Sequence, residues 1–210
     1  METDSDLTFQ DYSLKEYWDK RYSIQKGLSF DWFLSYKDLK GTLLDLLNSK
    51  WDSEIIDLGC GNSKICENLY NDGFKYVTCI DFSKVLINDL IQRYADFPEL
   101  DFQVMDALQL QIDDEAINII IDKATMDSII CGSSSAQSVM SMLSNVYRVL
   151  SSGGYYLCIS HGKPETRTPF LLANNFNWKL EIQKIAKPES SLLKQNDEQE
   201  YYYIYVCQKL

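Results

Sequence analysis

The sequence predicts an α/β fold: a doubly wound, mostly parallel sheet with helices on both faces and an antiparallel hairpin at its end. Three observations predict it. Short apolar runs alternate with helix-like segments from residue 54 to residue 160, the pattern of successive strand–helix–strand units. The run "INIIID" (117–122) is apolar on both faces, as a strand covered on both sides must be. Near the end, "WKLEIQKIA" (178–186) and "EYYYIYVCQ" (200–208) read as two strands, joined by the polar segment 187–199.

Each element has its own local cause. Residues 1–12 read as a loose acidic lead-in. "SLKEYWDKRYS" (13–23) has helical spacing, with Trp18 and Tyr22 at i, i+4 on one face. A second amphipathic helix spans 32–50 despite Gly41. "EIIDLG" (54–59) is a short buried-type strand, and residues 63–71 follow as a helix with Asn62 or Ser63 as its cap and Gly73 past its end. "YVTCID" (76–81) is a strand; 83–97 is a helix capped by Ser83 and closed by Pro98. "LDFQVMD" (100–106) and 117–122 are strands, 138–150 is a helix ending before "SSGG", and "GYYLCIS" (154–160) is a further strand. No repeat, low-complexity tract or linker interrupts the series. One domain over 1–210 is expected, with helices laid on it over 1–50, a ligand-binding core over 51–160 and the hairpin region over 161–210.

Composition bounds the function. The 210 residues suffice for a sizeable core, with 45% hydrophobic and 24% charged side chains. No apolar run has the length of a membrane span, so no membrane partner is expected. The acidic start "METDSDLTFQDYS" lacks the basic and apolar stretches of a secretory signal, and a cytoplasmic protein is expected. The net charge of −11 repels phosphate backbones, with no lysine–arginine cluster to offset it, so no nucleic acid is expected. A basic partner suits it better. The six cysteines form no CxxC and match no zinc spacing; reduced core thiols are expected. A single histidine, His161, makes a histidine-rich metal site implausible, and no metal is expected.

In an open parallel sheet, ligands bind at the carboxyl ends of the strands, near the point where strand order reverses. Those ends carry Asp57, Asp81, Asp106 and Asp122. Aspartate also caps helices and starts turns, but its recurrence at successive strand ends points to a shared ligand. Gly59 and Gly61 leave the backbone bare after the first strand, yet the third glycine of the dinucleotide fingerprint is missing, with Lys64 in its place. Asp81 suits a ribose diol, and Asp106 could face an adenine amine. The set fits an adenosine without phosphates.

These segments carry a resemblance. "DLGCGNS", "IDFS", "VMDALQL" and "IDKATMDSII" are similar to the successive motifs of class I S-adenosylmethionine-dependent methyltransferases. With "EYWDKRY" and "FDWF" upstream, the chain resembles the lysine methyltransferases of elongation factor 1-alpha and their citrate synthase relative, from Tyr17 to Ser160. The resemblance implies a Rossmann-like, seven-stranded sheet whose last strand is antiparallel. It implies S-adenosylmethionine as cofactor and a lysine-bearing protein, such as elongation factor 1-alpha, as acceptor. It further implies that Gly59 and Gly61 admit the methionine portion with Asp57 nearby, and that Asp81 binds the ribose. Phe82 would pack on the adenine, while Asp106 and Ala107 hold its edge. Asp122 and Lys123 would lie beside the transferring methyl, with Trp18, Tyr22 and Trp32 closing over the cofactor. Trp18 and Tyr22 also read as the packing face of a surface helix. Where the family usually has glycine, this chain has Ala124.

A lysine nucleophile must lose a proton before it can attack, and a carboxylate could orient the amine. Asp122 and Asp127 are the candidates beside Lys123, Asp127 reading equally as a helix cap. His161 ends a strand and reads as a solvated loop residue or as one facing the pocket. A small-molecule acceptor and a catalytically silent binding module are the alternative readings.

Overall fold

A computed structural model describes residues 11–47, 51–173, 176–187 and 200–210. Its strands are β1 (Ile55–Leu58), β2 (Val77–Asp81), β3 (Leu100–Val104), β4 (Ile117–Lys123), β5 (Leu150–Ser160), β6 (Trp178–Ala186) and β7 (Tyr201–Lys209). They form one seven-stranded sheet in the order β3-β2-β1-β4-β5-β7-β6. The first five in sequence pair parallel, and β7 runs antiparallel to both β5 and β6. The expected mostly parallel sheet with a terminal hairpin is therefore present. Strand order reverses between β1 and β4, which opens a crevice at their carboxyl ends.

The helices are α1 (Lys15–Ile24), α2 (Tyr36–Leu47), α3 (Ile65–Asn71), α4 (Lys84–Arg93), α5 (Thr125–Ile130), α6 (Ser135–Val149) and α7 (Pro164–Leu171). Period-two alternation along the strands sorts the core into two layers. Ile55, Ile119, Ile121, Leu157 and Ile159 pack with α1–α4. Ile56, Leu58, Ile120, Tyr156 and Cys158 pack with α5–α7. Burying both faces explains why β1 and β4 are mostly apolar, with isoleucines on either side.

Several boundaries differ from expectation. The helix expected at 63–71 begins at Ile65, and neither Asn62 nor Ser63 is its cap: Lys64 holds that place without a side-chain bond. Ser83 does cap α4, its hydroxyl accepting from Leu86 N at 3.3 Å, but that helix ends at Arg93 and finishes in turns through Phe97. The second helix starts at Tyr36, since residues 32–35 form an irregular loop, and β5 already begins at Leu150. The short helices α5 and α7 escaped the sequence reading. Six and eight residues are too few for a clear apolar stripe, and α7 contains Pro169. The lead-in 1–10, the helix end 48–50 and most of the joining segment 187–199 lie outside the described residues.

The expectation of reduced cysteines fails at one pair. Cys66 and Cys79 form a disulfide that joins α3 to β2, while Cys60, Cys131, Cys158 and Cys207 are free. The two sulfurs meet because α3 packs directly over β2, a juxtaposition that sequence spacing does not announce.

Candidate active site

The crevice holds a cavity of about 620 Å³. Gly59 and Gly61 border it from the loop after β1, Asp81 and Phe82 from the end of β2, and Asp106 and Ala107 from the turn after β3. Lys123, Ala124 and Thr125 border it from the end of β4, and Trp18, Tyr22 and Trp32 cover it from the N-terminal segment. The carboxylates of Asp57, Asp122 and Asp127 do not line it.

Both glycines carry positive φ, 65° at Gly59 and 54° at Gly61, where a side chain is strained. Gly59 has a second reason to be bare: a Cβ there would collide with Thr125, whose hydroxyl donates to Leu58 O at 2.7 Å. At Gly61 the neighbour is the Tyr22 hydroxyl from α1. The glycine loop is thus clasped by the segment after β4 on one side and by α1 on the other.

Asp81 is 5% exposed. Its carboxylate accepts from Gly61 N at 3.2 Å and Ser83 N at 2.9 Å. Burial nonetheless pushes its carboxyl up to about 6, since those two amides recover only part of the lost hydration. The Ser83 hydroxyl donates to Asp19 Oδ1 at 2.5 Å, which fastens α1 to the end of β2. Asp106 is exposed and accepts from Leu108 N at 2.8 Å, shaping its own turn.

Two carboxylates sit beneath the loops. Burial raises Asp57 to about 7, with Lys123 pulling the other way. Burial also raises Asp122 to about 7. Asp122 accepts from the Tyr156 hydroxyl at 2.7 Å and from Thr125 N at 2.9 Å, so it organises the start of α5 and faces away from the cavity. The alternation along β4 is the reason: Asp122 points to the α5–α7 layer and Lys123 to the α1–α4 layer.

Lys123 ties the N-terminal segment to the end of β4. Its side chain is 4% exposed, and Nζ donates to Asp31 Oδ1 at 3.0 Å and Trp32 O at 3.3 Å. Trp18 stacks on Tyr22 with centroids 5.6 Å apart and donates its indole N–H to Tyr12 O at 2.7 Å. The two expectations for these aromatics are compatible, because Trp18 and Tyr22 are buried packing residues that also face the cavity. Ala124 adopts φ 76°, the left-handed conformation the family's glycine would take without strain.

Asp127 does not cap a helix. It is the third residue of α5 and is drawn into a buried network with Ser160, His161 and Arg167. Arg167 was missed by the sequence reading, and so was Asp31. The one signal for Arg167 was a charged residue within an otherwise ordinary surface-like segment. For Asp31 it was the "FDWF" motif itself.

The cavity thus combines a bare glycine loop, the buried Asp81 carboxylate beside the Phe82 ring, and aromatic cover from the N-terminal segment. Comparison with known proteins agrees. A methyltransferase-domain family model matches residues 49–206. The bovine eEF1A lysine and N-terminal methyltransferase is 29% identical over 191 residues, 88% of this chain, and the chain spans only 27% of that relative's length. The mouse EEF1A lysine methyltransferase 4 is 28% identical over 80% of this chain and 69% of its own. A solved Burkholderia thailandensis 1,6-didemethyltoxoflavin-N1-methyltransferase with bound S-adenosylhomocysteine shares the fold, with a TM-score of 0.67 at 12% identity over 100% of this chain and 91% of that one. The chain is a member of the class I S-adenosylmethionine-dependent methyltransferases.

Proposed function

We propose that this methyltransferase acts on a lysine side chain of a protein, with translation elongation factor 1-alpha as the acceptor. The observation that carries the reading is that relatives named for this acceptor match over 88% and 80% of the chain. The net charge of −11 supports it, since it suits a basic partner and disfavours nucleic acid. We place the reaction in the cytoplasm and the activity in one domain over 1–210.

S-adenosylmethionine supplies a methyl group already activated on a sulfonium. Gly59 and Gly61 make room for its methionine portion above the buried Asp57. Asp81 has lone pairs left for the ribose hydroxyls after its two backbone bonds. Phe82 packs on the adenine, and Asp106 and Ala107 meet its edge. Trp18, Tyr22 and Trp32 exclude water, and Lys123 holds them shut through Asp31. Of the residues put forward for the chemistry, Lys123 borders the reacting end, Asp122 sets the turn that positions it, and Asp127 acts through its buried network.

The test is transfer of labelled methyl to purified elongation factor 1-alpha, with Asp81→Ala as control. Label on one lysine, located by mass spectrometry and absent with the variant, supports the reading. No label from a preparation that binds S-adenosylhomocysteine rejects this acceptor and directs the search to small molecules.

A further inference from the structure

The end of β5 carries a group that the cofactor site does not use. Asp127 is 6% exposed and takes five hydrogen bonds. Oδ1 accepts from the Ser160 hydroxyl at 2.5 Å and from Arg167 Nε and Nη2 at 3.1 and 2.8 Å. Oδ2 accepts from His161 N at 3.0 Å and faces His161 Nδ1 at 2.7 Å. Burial would raise this carboxyl, but the bond to His161 and the charge of Arg167 outweigh it and hold it below the usual range. An ionised carboxylate only accepts, so Nδ1 must carry the proton. The neutral ring then has a bare lone pair on Nε2. The His161 side chain is 56% exposed, so that lone pair can be reached from solution.

The surroundings look built for this ring. Gly162 has no side chain because a Cβ there would run into the Arg167 guanidinium, and its carbonyl accepts from the Tyr205 hydroxyl at 2.6 Å. On the other face, His161 packs on Phe33, with centroids 5.4 Å apart, and Phe33 packs on Tyr202 at 5.1 Å. Phe33 holds φ 62°, a costly conformation for a bulky side chain, which persists only where neighbours enforce it. His161 and Phe33 do not themselves line the cavity, but Phe33 directly follows Trp32, which does, and Ile159, two residues before His161, pairs with Lys123 of the cavity wall.

We infer that His161 is the proton acceptor for the incoming amine, and that Asp127 and Arg167 are positioning residues that fix its ring. This rests on the lysine reading above. In the step, an N–H bond of the acceptor ammonium breaks and an Nε2–H bond forms on the imidazole. The amine keeps the electron pair it needs as nucleophile, and the exposed imidazolium returns its proton to water. Phe33 and Tyr202 offer the apolar walls that a lysine stem packs against. Arg167 already balances the carboxylate, so Asp127 orients the ring without demanding a second cation. Among the described residues, the titratable groups around the ring include Asp127 from α5, Arg167 from α7 and Tyr202 and Tyr205 from β7, with the Lys123–Asp31 pair reaching the loop that carries Phe33.

His161 is the chain's single histidine, so its ring can be read alone. Nitrogen-15 NMR of the histidine-labelled protein should show the neutral ring protonated on Nδ1 and bare on Nε2. The opposite tautomer overturns the inference, whatever the acceptor proves to be. With elongation factor 1-alpha, His161→Asn should lose about a hundredfold in transfer rate, keep its affinity for S-adenosylhomocysteine and regain part of the rate with added imidazole. A variant with the parent's rate and pH profile also overturns it. A parent chain that shows the Nδ1-protonated ring but leaves the factor unlabelled rejects that acceptor and retains the dyad.

Discussion

Thr125 occupies the space that a side chain at Gly59 would need, and its hydroxyl is bonded to Leu58 O. The loop after β1 and the turn after β4 are therefore fitted to each other, not separately to a ligand. Gly59→Ala meets both a positive φ and this collision, so we expect a loss of about 1–3 kcal/mol and no measurable S-adenosylhomocysteine binding by calorimetry. Thr125→Ser, which keeps the hydroxyl, should bind nearly as the parent does. Normal binding by Gly59→Ala would show that the loop can move.

The buried acids set the pH response. Asp57 and Asp122 are raised to about 7 and Asp81 to about 6, chiefly by burial. Each binds its proton more tightly folded than unfolded. Their contribution to stability is complete below about pH 4 and is lost as pH rises through about 6 to 7. The cofactor-free chain should melt at a lower temperature at pH 8 than at pH 5.5, and Asp57→Asn should flatten that fall. A rise over the same interval would contradict the burial of these groups.

Ala124 is strained where glycine would not be. Ala124→Gly should stabilise the chain by about 1 kcal/mol, a shift of about 2–4 °C in melting temperature for a chain of this size. Scanning calorimetry decides it, and a drop in melting temperature would mean that the alanine methyl packs usefully.

The Lys123–Asp31 pair ties the N-terminal segment to the core. Asp31→Ala leaves a buried ammonium with only the Trp32 carbonyl, and we expect a cost of about 1–3 kcal/mol. The loss should be local: amide exchange should quicken in α1 and residues 28–34 and stay unchanged in α6. Uniform quickening would mean that the pair supports the whole fold instead.

Two of the six cysteines should resist thiol reagents in denaturant without reductant, leaving four titratable thiols. Mass spectrometry should place the bond between the peptides of Cys66 and Cys79. Six titratable thiols would exclude it.

Much of this protein was legible early. The alternation of apolar runs announced the parallel sheet, and the antiparallel β6–β7 pair followed from two strand-like stretches around a polar segment. Asp57, Asp81 and Asp122 were correctly located within the last two residues of β1, β2 and β4, while Asp106 falls two residues past β3. Their directions were not, because a one-residue step along a strand changes the face a side chain meets. Asp81 thereby reaches the cavity, while Asp122, opposite Leu58 and Cys158, turns to Tyr156.

The sequence by itself determined what local physics can encode: strand and helix periodicity, the bare glycine loop, the cap at Ser83, and the family to which these motifs belong. The tertiary structure alone decided which distant groups meet. Cys66 meets Cys79 because α3 packs on β2, and Lys123 meets Asp31 because the N-terminal segment folds over the crevice. Asp127 meets His161 and Arg167 because α5, β5 and α7 converge in one layer. Such pairings depend on strand register and helix placement, which the whole core sets at once, and no short stretch of chain contains them.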